Sequence, residues 1–88
     1  MGLDKEKGAL SYSFYELLET NKIHVFKGEI TNGYGCTIEN LSVCNKAHRI
    51  SRNSSIVKLC LKIDKAKKEV KLHSASMCED CLGYIGNV

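Results

Sequence analysis

The chain has no proline and no tryptophan, and its aromatic residues are two phenylalanines and four tyrosines. Without proline there is no polyproline segment and no stiff proline-rich linker. No apolar run approaches the roughly 20 residues that a membrane-spanning helix needs. The opening Met1-Gly2-Leu3-Asp4-Lys5-Glu6-Lys7 is charged and lacks the apolar centre of a secretory signal. Gly2 is followed at position 6 by Glu6, where a myristoylation motif has Ser or Thr. The expectation is a soluble, cytoplasmic chain with no membrane partner. Catalytic patterns are missing too. The carboxylates are scattered, and Gly33-Tyr34-Gly35 is too little to be a phosphate loop. His24, His48 and His73 stand far apart in sequence, with no local nucleophile and base around them. The chain is therefore expected not to be an enzyme.

What is present describes one small globular domain. Its 88 residues leave room for a single unit, residues 1–88, with 1–8 expected to be loose. Hydrophobic residues at 43% and charged residues at 26% fit a folded rather than a disordered chain. A domain this short buries a modest share of its surface, so a metal, a disulfide or a partner subunit is a plausible support. The net charge of +3, from 13 basic and 10 acidic residues, permits an acidic partner without demanding one. In a reducing compartment the five cysteines are expected to be thiols or ligands rather than disulfides.

The hydrophobic pattern predicts an α+β fold: a small antiparallel sheet of three to four strands with one or two short helices packed on one face. Its centre is read as a hairpin from Ile56 to Met77. Val57, Leu59, Leu61 and Ile63 alternate with Lys58, Cys60 and Lys62; Val70 and Leu72 alternate with Glu69, Lys71 and His73. Asp64 to Lys68 would form the turn. Ser13-Phe14-Tyr15-Glu16 reads as a capping box opening a short helix that stops near Asn21. A rival reading makes Leu10, Tyr12 and Phe14 one face of a strand. Lys22 to Ile30 reads as a strand, with Gly28 as a bulge or point of close approach. Asn32-Gly33 marks a turn, after which Cys36 and Ile38 can pair back on that strand. Ile38, Leu41, Cys44, Ala47 and His48 recur at three- and four-residue steps, the pattern of an amphipathic helix. Ser51 to Ser55 is a polar loop.

Cys78-x-x-Cys81 places two sulfurs where they can grip one tetrahedral metal ion. If 37–49 is helical, Cys44 and His48 share a face and complete the set, with Cys36 and His73 as substitutes. Against this, only one tight pair is evident, and its intervening residues are Glu79 and Asp80. The preferred expectation is no cofactor: Cys36, Cys44 and Cys60 as small core residues, Cys78 and Cys81 as surface thiols. Zinc is the alternative. A redox dithiol needs the pair at a helix N-terminus, which Gly83 and Gly86 argue against.

The lysines give a second constellation. Lys58, Lys62 and Lys71, extended by His73, are expected on the wet face of the hairpin, with Phe26 or Tyr34 beside them to stack on a base or anchor a partner. Exposed strand lysines also serve to discourage edge pairing. Tyr12, Tyr15 and Tyr84 are further candidate anchors; Phe14 is expected in the core. The function expected is non-enzymatic binding that regulates or inhibits a macromolecular target through protein contact, with homodimer formation at an open strand edge. Small phage-type inhibitors of host or defence proteins are the analogy. The alternative is a small basic nucleic-acid-binding domain stabilised by zinc.

Overall fold

A computed structural model describes residues 10–18, 20–31, 35–48 and 54–87. The segment 1–8, the Asn32-Gly33 turn with Tyr34, and residues 51–53 of the polar loop lie outside the described residues. Two strands come first. β1 (Leu10–Leu17) and β2 (Lys22–Glu29) pair antiparallel from Leu10↔Glu29 to Leu17↔Lys22. Between them the Thr20 amide donates back to the Leu17 carbonyl, and Asn21 takes φ 54°, a left-handed conformation that Asn tolerates better than most residues. β3 (Ser54–Leu61) pairs antiparallel with the other side of β1, giving the order β2-β1-β3. Helices α1 (Ile63–Leu72) and α2 (Glu79–Gly86) follow, separated by a 3-10 turn at Ser74–Ser76. The domain is α+β, with a three-stranded antiparallel sheet and two short helices packed against it. Tyr12 and Phe14 of β1 and Ile23 and Val25 of β2 meet Ala66 and Val70 of α1, Met77, and Cys81 and Ile85 of α2 in one core.

The expected hairpin at 56–77 is half right. Its first half is β3, but Glu69 to Leu72 is helical. Ile63, Ala66 and Val70 lie three and four residues apart and face the core together, while Leu72 is 75% exposed. The supposed turn, Asp64 to Lys68, has strong helix formers at its last four positions and no glycine, asparagine or proline to bend it. Asp64 in the first turn and Lys71 in the last complement the helix dipole. Within β3 the alternation also breaks. Pairing passes from Tyr12↔Leu61 to Phe14↔Lys58 to Tyr15↔Ile56, so β3 carries extra residues relative to β1. Val57, Leu61 and Ile63 still pack on the core, but Leu59 turns outward, 41% exposed.

The helix expected from Ser13 is instead β1. Tyr12 and Phe14 alternate onto the core as the rival reading held, and the Ser13 hydroxyl accepts from the Cys60 amide at 3.1 Å rather than capping a helix. The helix expected over 37–49 is also absent among the described residues. That stretch runs along the outer edge of β2: the amides of Thr37, Glu39 and Val43 donate to the carbonyls of Glu29, Lys27 and Val25, each at 2.8 Å. Cys36 does pair back, bridging Ile30. Gly28 is the close-approach point expected. A Cβ there would lie 1.7 Å from the Thr37 carbonyl oxygen, so only glycine fits.

Two cysteines expected as thiols, Cys36 and Cys60, form a disulfide with Cα atoms 5.6 Å apart. The registers explain the meeting. Leu10↔Glu29 and Tyr12↔Leu61 put the C-terminal ends of β2 and β3 at the same end of β1. Among the described residues no helix is long and apolar enough to cross a membrane.

Candidate metal centre

The covered edge of β2 is where the remaining cysteines converge. His24 projects from β2 on the side opposite to Ile23 and Val25, and is buried. Cys44 sits in a tight loop closed by an antiparallel bridge between Leu41 and His48. There the Ser42 amide donates to Ala47 at 2.8 Å, and Asn45 takes φ 61°. Cys78 is the N-cap of α2 and Cys81 lies in its first turn, buried in the core. The Cys78 amide donates to the Ile23 carbonyl at 2.9 Å, which docks the start of α2 beside His24.

The four ligand atoms, one each from His24, Cys44, Cys78 and Cys81, all lie within 4.8 Å of one another. His24 Nδ1 is 3.6 Å from Cys44 Sγ and 3.7 Å from Cys81 Sγ. A tetrahedral zinc ion with Zn–S near 2.3 Å and Zn–N near 2.0–2.1 Å has N···S edges of about 3.5 Å. Those two edges are already close to that length, and four ligand atoms within 4.8 Å of one another are compact enough to share one ion.

Surrounding donors suit thiolates. The Val25 amide donates to Cys81 Sγ at 3.4 Å, and Ser42 Oγ lies 3.0 Å from Cys44 Sγ. Burial acts to raise the Cys44 pKa, but hydrogen bonds from Ser42, the Lys46 backbone and the neighbouring thiols bring it below its ordinary value. Burial pushes the Cys81 thiol up, against the Val25 amide, and the Cys44 and Cys78 sulfurs push the same way. Sulfurs that repel one another's ionisation in this way call for a cation between them. Burial lowers the His24 pKa, which favours the neutral imidazole, the form that binds metal. Its Nε2 is buried with no hydrogen-bond partner among the described residues. Lys46, paired with Asp80 of α2, sits at the rim as a nearby positive charge.

Three of the four expected ligands, Cys44, Cys78 and Cys81, come together, and His24 stands where His48 was expected. His48 and Cys44 part because the segment is a bridged loop rather than a helix; His48 Nδ1 lies 3.3 Å from Asn40 Nδ2. Cys81 is no surface thiol, and the pair does open a helix, contrary to expectation. A redox dithiol needs an exposed, acidic thiol; Cys81 is buried with its pKa raised. No local spacing pointed to His24, which lies 20 residues from Cys44 and 57 from Cys81. The available signal was its place on a strand next to core residues, where an unpartnered imidazole needs a reason.

The lysines do not share one sheet face. Lys58 is on β3, Lys62 is the N-cap of α1 and Lys71 lies in its last turn, all exposed. His73 follows α1 with Nε2 3.1 Å from Glu69 Oε2. Phe26 is 0% exposed and stacks edge-on with Tyr15 at a centroid distance of 5.4 Å, so it offers no surface to a base or a partner. Tyr12 and Tyr15 are buried as well; Phe14 is in the core as expected. Tyr34 lies outside the described residues. Comparison of the chain with protein-family models, with curated proteins and with solved structures finds no match.

Proposed function

We propose that the chain is a small non-enzymatic binding domain whose fold is held by one structural zinc ion on His24, Cys44, Cys78 and Cys81. The observation that carries this reading is the convergence of one imidazole nitrogen and three sulfurs within 4.8 Å. Four protein ligands fill a tetrahedron. A closed set leaves no position for substrate or activated water, which is the mark of a structural rather than a catalytic zinc. The ligands come from β2, the 41–48 loop and α2, so the ion would add a cross-link between three segments that already pack on one core. The measurement is metal content of the purified chain. One zinc per chain is expected, lost in Cys81→Ser; a folded chain that takes up no zinc when the metal is supplied, or one that keeps zinc in that variant, would refute the site.

Regulation or inhibition of a target through protein contact is the second reading. The tyrosines and Phe26 give it little support, since Tyr12, Tyr15 and Phe26 are buried. One observation favours it. β3 is an edge strand and exposes Ile56 at 62% and Leu59 at 41%, which suits pairing with another sheet, including a second copy.

A further inference from the structure

The charge of this chain is concentrated in one place. From Lys58 to Lys71 there are six lysines (58, 62, 65, 67, 68 and 71) against two carboxylates, Asp64 and Glu69. That surplus of four exceeds the +3 of the whole chain, so everything outside these residues is net negative by one. The fold then makes the segment concave. β3 and α1 meet at a corner through Lys62, and Lys58 from the strand faces Lys65 and Lys68 from the helix across a cavity of about 380 Å³, with Leu61 and Glu69 completing the lining. Lys65 and Lys68 are three residues apart and share one side of α1. None of Lys58, Lys65 and Lys68 forms an ion pair among the described residues. Glu69, the carboxylate in the described lining, is engaged by His73 at 3.1 Å.

We propose that this groove binds the phosphodiester backbone of a nucleic acid, without base specificity. The proposal rests on the reading of the chain as a binding domain and identifies its partner. Three converging ammonium groups attract phosphates, and release of condensed counterions drives the association. Leu61 gives the lining an apolar contact for a sugar face. Among the described residues no aromatic side chain lines the groove to stack a base, so contacts go to the backbone, which positions but does not specify. Concavity decides against a lipid surface. A flat membrane is met by a convex apolar face with basic flanks, whereas these lysines line a hollow.

The test is fluorescence anisotropy of the zinc-loaded full chain with labelled single- and double-stranded oligonucleotides of mixed sequence, over a salt series. Affinity should fall with salt with a log–log slope of about −2 to −3, three contacts at roughly 0.7–0.9 each. The triple variant Lys58→Gln, Lys65→Gln, Lys68→Gln should weaken binding to every sequence alike and remove most of that slope, about one unit per lysine. Lys22→Gln with Lys27→Gln, on β2, should leave both unchanged. Should the triple variant fail to fold, Lys65→Gln with Lys68→Gln on the exposed side of α1 gives the same test with a slope loss of about two. Melting curves and zinc content of each protein separate the two ideas. A folded, zinc-loaded chain that ignores oligonucleotides at low salt overturns the groove and leaves the metal reading standing. An unchanged slope in the triple variant overturns it as well, as does binding to anionic phospholipid vesicles without binding to oligonucleotides.

Discussion

Removing the metal ion is the perturbation with the largest expected effect on this fold. The ion would join β2 through His24, the 41–48 loop through Cys44, and α2 through Cys78 and Cys81. Without it, the three are joined by the core packing of Ile23 and Val25 against Cys81 and Ile85, by the Cys78 amide on Ile23 and the Val43 amide on Val25, and by the surface pair Lys46–Asp80. An exposed pair of that kind contributes little. A ligand that binds only the folded state at a free concentration 1,000-fold above its Kd stabilises by about 4 kcal/mol. For a domain of this length, each kcal/mol moves the melting temperature by roughly 4–8 °C. A zinc-loaded sample stripped with a high-affinity chelator should therefore melt roughly 15–30 °C lower, and added zinc should restore it. The assay is thermal unfolding followed by circular dichroism, without thiol reductant so that Cys36–Cys60 stays intact. Cys81→Ser should melt like the stripped protein and be insensitive to chelator. If stripped and loaded protein melt within a few degrees of each other, the cluster is not a structural metal site.

Three further outcomes are expected. Replacing both Cys36 and Cys60 by Ser opens a loop set by their separation of 24 residues, for which the chain-entropy relation gives about 3.5 kcal/mol of lost stability; the urea midpoint should fall while zinc content stays the same. Gly28→Ala forces a Cβ to within 1.7 Å of the Thr37 carbonyl oxygen, a backbone overlap that should destabilise by at least about 2–3 kcal/mol, read from the same urea curves. In metal-free protein, His24 has a pKa below its ordinary 6.5 because of burial. The unfolded chain then takes up its proton first, so this contribution to stability is complete above pH 6.5 and is lost as pH falls from there toward the folded value; His24→Gln should flatten that acid limb in urea titrations at several pH values.

The parts of the fold visible in the sequence were those where a local rule and the tertiary contacts agree. Lys22 to Ile30 alternates, ends near a turn signal and is β2. Gly28 announced a close approach and makes one. Where two local rules competed, neighbours elsewhere in the chain decided. Ser13 and Glu16 carry the spacing of a capping box, but the Ser13 hydroxyl found the Cys60 amide across the sheet. Glu69 to His73 is too short to tell alternation from helical spacing, and the deciding residues, Ile63 and Ala66, lay in what was read as strand end and turn. The metal ligands show the same limit. Cys78 and Cys81 are adjacent and were legible. His24 became a ligand candidate only because Cys78 docks on Ile23, a contact between residues more than fifty positions apart.

The two candidate sites lie at opposite edges of the sheet, and that placement gives each a different consequence. In the order β2-β1-β3, the cysteine and histidine cluster closes the β2 edge, where carbonyls of Glu29, Lys27, Val25 and Ile23 are each taken by an amide from outside the strand. An edge so covered cannot recruit another chain. The lysine groove lies at the other edge, where β3 runs into α1. Residues at the first edge hold segments together, so their loss should lower stability and, through it, every other property. Lys58, Lys65 and Lys68 at the second are exposed, so their loss should leave stability alone and alter only the proposed binding. A lysine variant that unfolded the protein, or a metal-ligand variant that kept the melting temperature, would break this division, because the first would give the lysines a structural part and the second would deny one to the cluster.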